Sequence, residues 1–143
     1  MEVFTSSPNQ TQELAERVAK KLKPADVIVL IGELGAGKTF FTSCLTEALG
    51  INARVQSPTF VLVREYEDKS APLIKKIYHA DLYRMTNVEE VLDLGLLTFA
   101  EEQALTIIEW PELILDKLPK RTIRITIDAI SEFERKIHVH NLS

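Results

Sequence analysis

Gly32-Glu33-Leu34-Gly35-Ala36-Gly37-Lys38-Thr39 follows the pattern G-x-x-x-x-G-K-[ST]. In that pattern the glycines let the backbone curl until successive N–H groups point at phosphate oxygens. Lys38 is placed to reach the β- and γ-phosphates of a nucleotide, and the Thr39 hydroxyl to ligate Mg²⁺, an ion that keeps several waters and takes few protein ligands. Glu33, Leu34, Gly35, Ala36, Gly37, Lys38, Thr39 and Phe40 are therefore the candidate nucleotide contacts. The plain alternative is a glycine-rich turn that only joins a strand to a helix.

A phosphate loop that supports hydrolysis needs carboxylates at the C-terminal ends of neighbouring strands, to hold Mg²⁺ with its waters and to orient an attacking water. Two stand in such places. Glu109 ends the apolar run Leu105-Thr106-Ile107-Ile108, and Asp81 lies just past Lys76-Ile77-Tyr78-His79-Ala80. A solvated strand end for Glu109, and a cap or ion pair with Arg84 for Asp81, are the structural alternatives. Thr59, in Ser57-Pro58-Thr59-Phe60, follows the loop and its helix at the distance where nucleotide hydrolases place a switch segment. His79 shares a strand face with Asp81 and reads as a buried structural histidine or as a neighbour supporting the site. Trp110 earns interest only from its place beside Glu109. His138 and His140 share a face without a third ligand, and Cys44 reads as helix packing.

These residues need a scaffold. Asp26 to Ile31 is a short, β-branched apolar run bounded by Pro24 and Gly32, the pattern of a strand buried on both faces in a parallel sheet. Phe40 to Leu49 follows as a helix closed by Gly50. Ser7-Pro8 opens an earlier helix running to about Leu22, with Leu14, Val18 and Leu22 as its inner stripe, after a short strand at Glu2 to Thr5. Thr59 to Glu65 and Ile74 to Leu82 read as strands around a polar loop, and Asn87 to Leu92 as a short helix capped by Asn87. Leu105 to Ile108 reads as a buried strand and Pro111 to Leu118 as a helix. Thr122 to Ile127 and Arg135 to Val139 alternate strictly, which predicts antiparallel edge strands. The expected architecture is one α/β domain over residues 1–143, with neither linker nor repeat.

Composition narrows the class. At 143 residues the chain can bury roughly 68–70% of its unfolded surface, enough for a core without disulfides or a structural metal. The single cysteine forms no internal disulfide, and with no signal peptide or membrane-length apolar run the expected setting is the cytoplasm. A net charge of −4 opposes a dedicated DNA or RNA binder. Met85 to Asp116 carries Glu89, Glu90, Asp93, Glu101, Glu102, Glu109, Glu112 and Asp116 with no Lys or Arg, either a solvated face or a surface for a basic partner.

The ordered blocks Gly32 to Thr39, Ser57 to Phe60, His79-Ala80-Asp81-Leu82-Tyr83-Arg84, Leu94-Gly95-Leu96 and Ile108-Glu109-Trp110-Pro111-Glu112 together resemble the TsaE family, also called YjeE, the bacterial ATPases of tRNA threonylcarbamoyladenosine biosynthesis. The resemblance spans nearly the whole chain. It implies a P-loop NTPase fold with a parallel sheet core, antiparallel marginal strands and flanking helices. It implies ATP/ADP and Mg²⁺ as ligands, weak ATPase activity alone, and TsaB and TsaD as partners. The family's ATP cycle supports repeated threonylcarbamoyl transfer onto the adenosine beside the anticodon. The resemblance further implies that tRNA is met only through the complex, that no DNA or membrane is involved, and that the transfer itself is carried out by another protein. By resemblance Lys38, Asp81 and Glu109 form the catalytic set and Thr39, Asp81 and Glu109 the metal set, with Thr59 switch-like and Trp110 near the nucleotide or partner surface. Glu33 replaces a frequent Asp and keeps its charge. A kinase sharing the loop would need an acceptor pocket and an arginine-rich lid, and no lid is legible. A nucleotide-gated interaction module is the other alternative. Arg54, Arg64 and Arg84 are the arginines considered as a finger, which a partner could equally supply.

Overall fold

Val27–Ile31, with four of its five residues buried, forms the strand on which the sheet is centred. The computed structural model describes residues 1–59, 61–96 and 103–142, so Phe60 and two members of the acidic stretch, Glu101 and Glu102, lie outside the described residues. In chain order the strands are β1 (Glu2–Thr5), β2 (Val27–Ile31), β3 (Val63–Glu67), β4 (Lys76–Asp81), β5 (Leu105–Glu109), β6 (Ile123–Ala129) and β7 (Arg135–His140). The helices are α1 (Pro8–Ala19), α2 (Lys38–Ala48) and α3 (Val88–Asp93). The seven strands form one sheet in the order β1-β7-β6-β2-β5-β4-β3. β2 runs parallel to both β5 and β6, and β4 parallel to β5. β1, β7 and β3 pair antiparallel with their neighbours, so the margins are antiparallel as expected.

Parallel pairing forces crossovers, and these put helices on both faces. One face packs Ile28, Leu30, Ile77 and Ile107 against Leu14 and Val18 of α1 and Phe41 and Leu45 of α2. The other sets Val29, Ala80 and Ile108 beneath Val91 of α3 and Ile114. Ser7 caps α1 by accepting from the Gln10 amide at 3.3 Å, and Asn87 caps α3 by accepting from the Glu89 amide at 2.8 Å.

Four expectations are corrected. α1 ends at Ala19, not near Leu22, yet Leu22 is buried because the next turn folds it under the same core. The strand predicted from Thr59 begins only at Val63: the Pro58 carbonyl accepts from the Val61 and Leu62 amides, a turn that breaks strand pairing there. Residues 111–118 form two 3-10 turns, Pro111–Leu113 and Leu115–Lys117, in place of a helix. The segment Arg135 to Val139 is antiparallel but not an edge strand, since β7 lies between β1 and β6, and neither is Thr122 to Ile127 an edge: β6 lies between β7 and β2 and is parallel to β2. Its alternation follows from one-sided burial, since Ile123, Ile125 and Ile127 enter the α1 side of the core while Arg124 is exposed.

Gly32 leaves β2 beneath β6. A Cβ there would lie 2.5 Å from the Ile127 carbonyl oxygen and 3.2 Å from the Ala36 Cβ. Backbone supplies the shorter contact and cannot rotate away. Gly32→Ala is expected to lower stability by about 1–3 kcal/mol through strain, read as a lower urea midpoint with an unchanged slope.

Candidate functional site

The loop after β2 turns on an Ala36 amide bonded to the Glu33 carbonyl at 3.0 Å. It enters α2 at Gly37, whose φ of 109° is ill suited to a residue with a side chain. Lys38 is thereby set in the first turn of α2 and is buried. Its Nζ donates to the Gly32 carbonyl at 2.6 Å, lies 4.0 Å from Glu109 Oε1, and sits 4.0 Å from the centre of the Trp110 ring. Burial pushes the ammonium below the ordinary lysine value, and the Glu109, Asp81, Glu112 and Glu33 carboxylates pull it back up.

Parallel pairing places the two carboxylates side by side. β4 and β5 are in register at Asp81 and Glu109, so both strands present a carboxylate at the same level, Glu109 on the strand next to β2 and Asp81 one strand further out. Both are buried, at 4% and 3% exposure, which rules out a solvated strand end for Glu109. Asp81 accepts from the Thr59 hydroxyl at 2.8 Å and from the Tyr83 amide at 2.8 Å. Ser57 Oγ lies 2.8 Å from Thr59 Oγ1 and extends that chain of hydroxyls. Glu109 meets His79, whose Nε2 is 2.5 Å from Oε2. The far ring nitrogen of His79, Nδ1, is 3.1 Å from the Tyr66 hydroxyl.

Trp110 directly follows β5 with φ 55° and ψ 58°, a left-handed conformation in a bulky residue that also precedes proline. Such strain costs roughly 1–3 kcal/mol and is kept where surrounding structure fixes it. Here it swings the indole over Lys38 and against Tyr83, with ring centres 4.8 Å apart.

A cleft of about 220 Å³ brings together Leu34, Gly35, Gly37, Lys38, Thr39, Phe40, Ser57, Thr59, Asp81, Glu109 and Trp110. Of the sequence candidates only Glu33 and Ala36 do not line it; Glu33 is exposed at the loop's edge. A second cavity of about 260 Å³ shares Gly37 and Phe40 with the first and is lined also by Thr11, Ala36, Ile127, Phe133 and Arg135. Arg135 donates from Nε to the Ala36 carbonyl at 2.8 Å, bracing the loop from β7. Sequence reasoning missed Arg135, Phe133 and Tyr66. Arg135 is 99 positions from its partner, and no local spacing signals that contact. Among the arginines considered from the sequence, Arg64 bonds the Ser57 carbonyl at 3.0 Å. Cys44 is buried, and burial pushes its thiol up to about 11, as packing requires. His138 and His140 stack with ring centres 3.9 Å apart, and among the described residues no group of three or more His, Cys, Asp or Glu forms a metal-ligand set.

A glycine loop between a central parallel strand and a helix, sharing one cleft with two carboxylates from the next two parallel strands, defines the class as a single-domain α/β protein with an acidic cleft at the end of its sheet. Comparison with known proteins sharpens that class. The profile described as "Threonylcarbamoyl adenosine biosynthesis protein TsaE" matches residues 5–137, and the chain belongs to the TsaE family. It is 42% identical over 133 residues to the tRNA threonylcarbamoyladenosine biosynthesis protein TsaE of Bacillus subtilis, covering 93% of this chain and 80% of that one. It is 38% identical to the TsaE of Aquifex aeolicus, covering 97% and 95%. The crystal structure of Bacillus subtilis YdiB superposes with a TM-score of 0.73 at 34% identity, over 96% of this chain and 82% of that one. Among the described residues no helix is long and apolar enough to cross a membrane.

Proposed function

We propose that this protein is a single-domain P-loop ATPase, dependent on Mg²⁺, that acts with TsaB and TsaD in forming threonylcarbamoyladenosine on tRNA. The observation that carries the reading is the meeting of Lys38, Thr39, Asp81 and Glu109 in one cleft at the C-terminal ends of β2, β4 and β5. The relatives' names supply the pathway. TsaB and TsaD come from the family resemblance, and a cytoplasmic location from the single cysteine and the lack of a membrane-length apolar run.

The residues fit the ligands. At Gly35 a Cβ would meet nothing within 4 Å, so the loop's outer side is open to a phosphate group, and the start of α2 just after it carries no side-chain cap, which suits its amides to an anion. Two buried carboxylates and the Thr39 hydroxyl suit Mg²⁺, which is satisfied by few protein oxygens and is held mainly by water and phosphate. Mg²⁺ bound there would supply positive charge to the β- and γ-phosphate oxygens. The adjoining cavity, with Phe40, Ile127 and Phe133, suits the flat apolar faces of a base.

The chain's own part follows from its geometry. Lys38 binds the β- and γ-phosphates with a charge that burial has left weakly solvated, which strengthens it as an electrostatic group. Glu109, steadied by His79, orients the attacking water and receives its proton at a carboxylate oxygen. Asp81, held by Thr59 and the Tyr83 amide, completes the acidic side, and Trp110 roofs the Lys38 ammonium and excludes water from it. A second reading, the nucleotide-gated module, is favoured by the Thr59–Asp81 bond: a hydroxyl with alternative partners inside the cleft is the natural element of a gate.

Phosphate release from Mg·ATP, measured alone and with the TsaB–TsaD complex, tests the proposal. Slow release alone and stimulation of at least about 10-fold by the complex are expected, since a partner can complete charge stabilisation. ATP binding with a rate indifferent to the complex overturns the partner assignment and leaves the ATPase reading standing.

A further inference from the structure

We propose that Tyr66 is a positioning residue for Glu109, acting through His79, and that this relay ties Glu109 to the same segment, residues 56–59, that holds Asp81. The proposal rests on the ATPase reading for its kinetic consequence but not for its structural one.

The relay is a continuous set of short contacts across three strands. The Gln56 amide donates to the Tyr66 hydroxyl at 3.3 Å, and that hydroxyl donates to the Gln56 carbonyl at 2.9 Å. Nδ1 of His79 is 3.1 Å from the same oxygen, and Nε2 reaches Glu109 Oε2 at 2.5 Å. Tyr66 and His79 are diagonal neighbours on β3 and β4, since Tyr66 pairs with Ile77 and Arg64 with His79. Both rings are buried, which makes their polar atoms costly to leave unpaired. Burial also pushes the Tyr66 hydroxyl above the ordinary phenol value, so it serves as a neutral donor and acceptor.

The segment therefore has two arms. Thr59 grips Asp81 directly, with Ser57 bonded to the Thr59 hydroxyl behind it, while Gln56 grips Glu109 through Tyr66 and His79. The Tyr66 hydroxyl has one proton and two acceptors within reach, the Gln56 carbonyl and Nδ1. Any displacement of residues 56–59 redistributes that bond, and hydrogen bonds in series polarise one another. A change at the segment is thus felt at both carboxylates together, although Gln56 lines no part of the cleft.

Tyr66→Phe removes the hydroxyl and keeps the ring. Its expected effect is a fall in kcat for ATP of about 3–10-fold, the worth of one hydrogen bond, with KM and ATP affinity changed by less than about 2-fold. The single tryptophan, Trp110 over Lys38, reports that affinity by fluorescence. His79→Gln, which keeps a donor near the Nε2 position, is expected to retain more activity than His79→Leu. A Tyr66→Phe enzyme with wild-type kcat, or one whose loss lies entirely in KM, overturns the positioning role. A wild type that neither binds nor hydrolyses ATP counts against the ATPase reading alone, and nitrogen-15 spectra still decide the relay. In them Glu109→Gln is expected to shift the His79 ring resonances and the Gln56 amide, the latter shift vanishing in the Tyr66→Phe background. A Gln56 amide that ignores Glu109→Gln overturns the connection.

Discussion

Lys38→Ala is expected to reduce ATP turnover by about 10²–10³-fold, or about 2.7–4 kcal/mol of transition-state stabilisation, the cost of deleting one preorganised charge from a water-poor site. The ammonium is buried, is 4.0 Å from Glu109 and lies under the Trp110 ring, so no surface lysine can replace it. ATP affinity is expected to fall as well, because Asp81 and Glu109 then face the phosphates without their neighbouring cation. The fold is expected to persist: the Nζ partner is a loop carbonyl, and the α1–α2 core does not include Lys38. Phosphate release, a Trp110 fluorescence titration and a thermal melt check the three parts. Wild-type affinity and rate in a folded variant would remove the phosphate-loop assignment.

Glu109→Gln is the more discriminating experiment. The amide has the shape of the carboxylate and keeps an oxygen for His79, but it has no charge and accepts no proton from water. Turnover is expected to fall by about 10²–10⁴-fold, the usual worth of a positioned general base. ATP binding is expected to be retained or strengthened, since one negative charge near the phosphates is gone. If the variant binds ATP, fails to hydrolyse it and still sustains full threonylcarbamoyl transfer with the partner complex, the gated-module reading replaces the ATPase cycle. If it hydrolyses ATP normally, Asp81, 4% exposed and in register with it, becomes the candidate base. Asp81 differs in what holds it: a hydroxyl from residues 56–59 and an amide of its own turn, against a histidine for Glu109.

The loop from Gly32 to Thr39, the strand before it and the helix after it were legible because each is a local property: glycines at tight spacing, a β-branched run, a helix following directly. The caps at Ser7 and Asn87 were legible for the same reason. Asp81 and Glu109 could be named as strand-end carboxylates, yet nothing in the spacing said that β4 and β5 are neighbours in register. That depends on parallel pairing across a crossover. Alternation misread β6 and β7 as edges because alternation reports which face is buried, not how many neighbours a strand has.

Tyr66 shows the limit most clearly. In sequence it is one aromatic among charged residues in Val63–Glu67, with no motif around it. Only antiparallel pairing with β4 sets its hydroxyl against His79, and only the parallel pairing of β4 with β5 carries that contact on to Glu109. Arg135 is a similar case, reaching the Ala36 carbonyl from the far end of the chain. The sequence by itself determined the groups available here, a glycine-rich loop with a lysine, a threonine and two acidic strand ends, because backbone preference and residue type act over a few positions. Tertiary structure alone decided which groups touch, because strand order and register are set by burying both faces of the whole sheet, a condition that no short segment meets on its own.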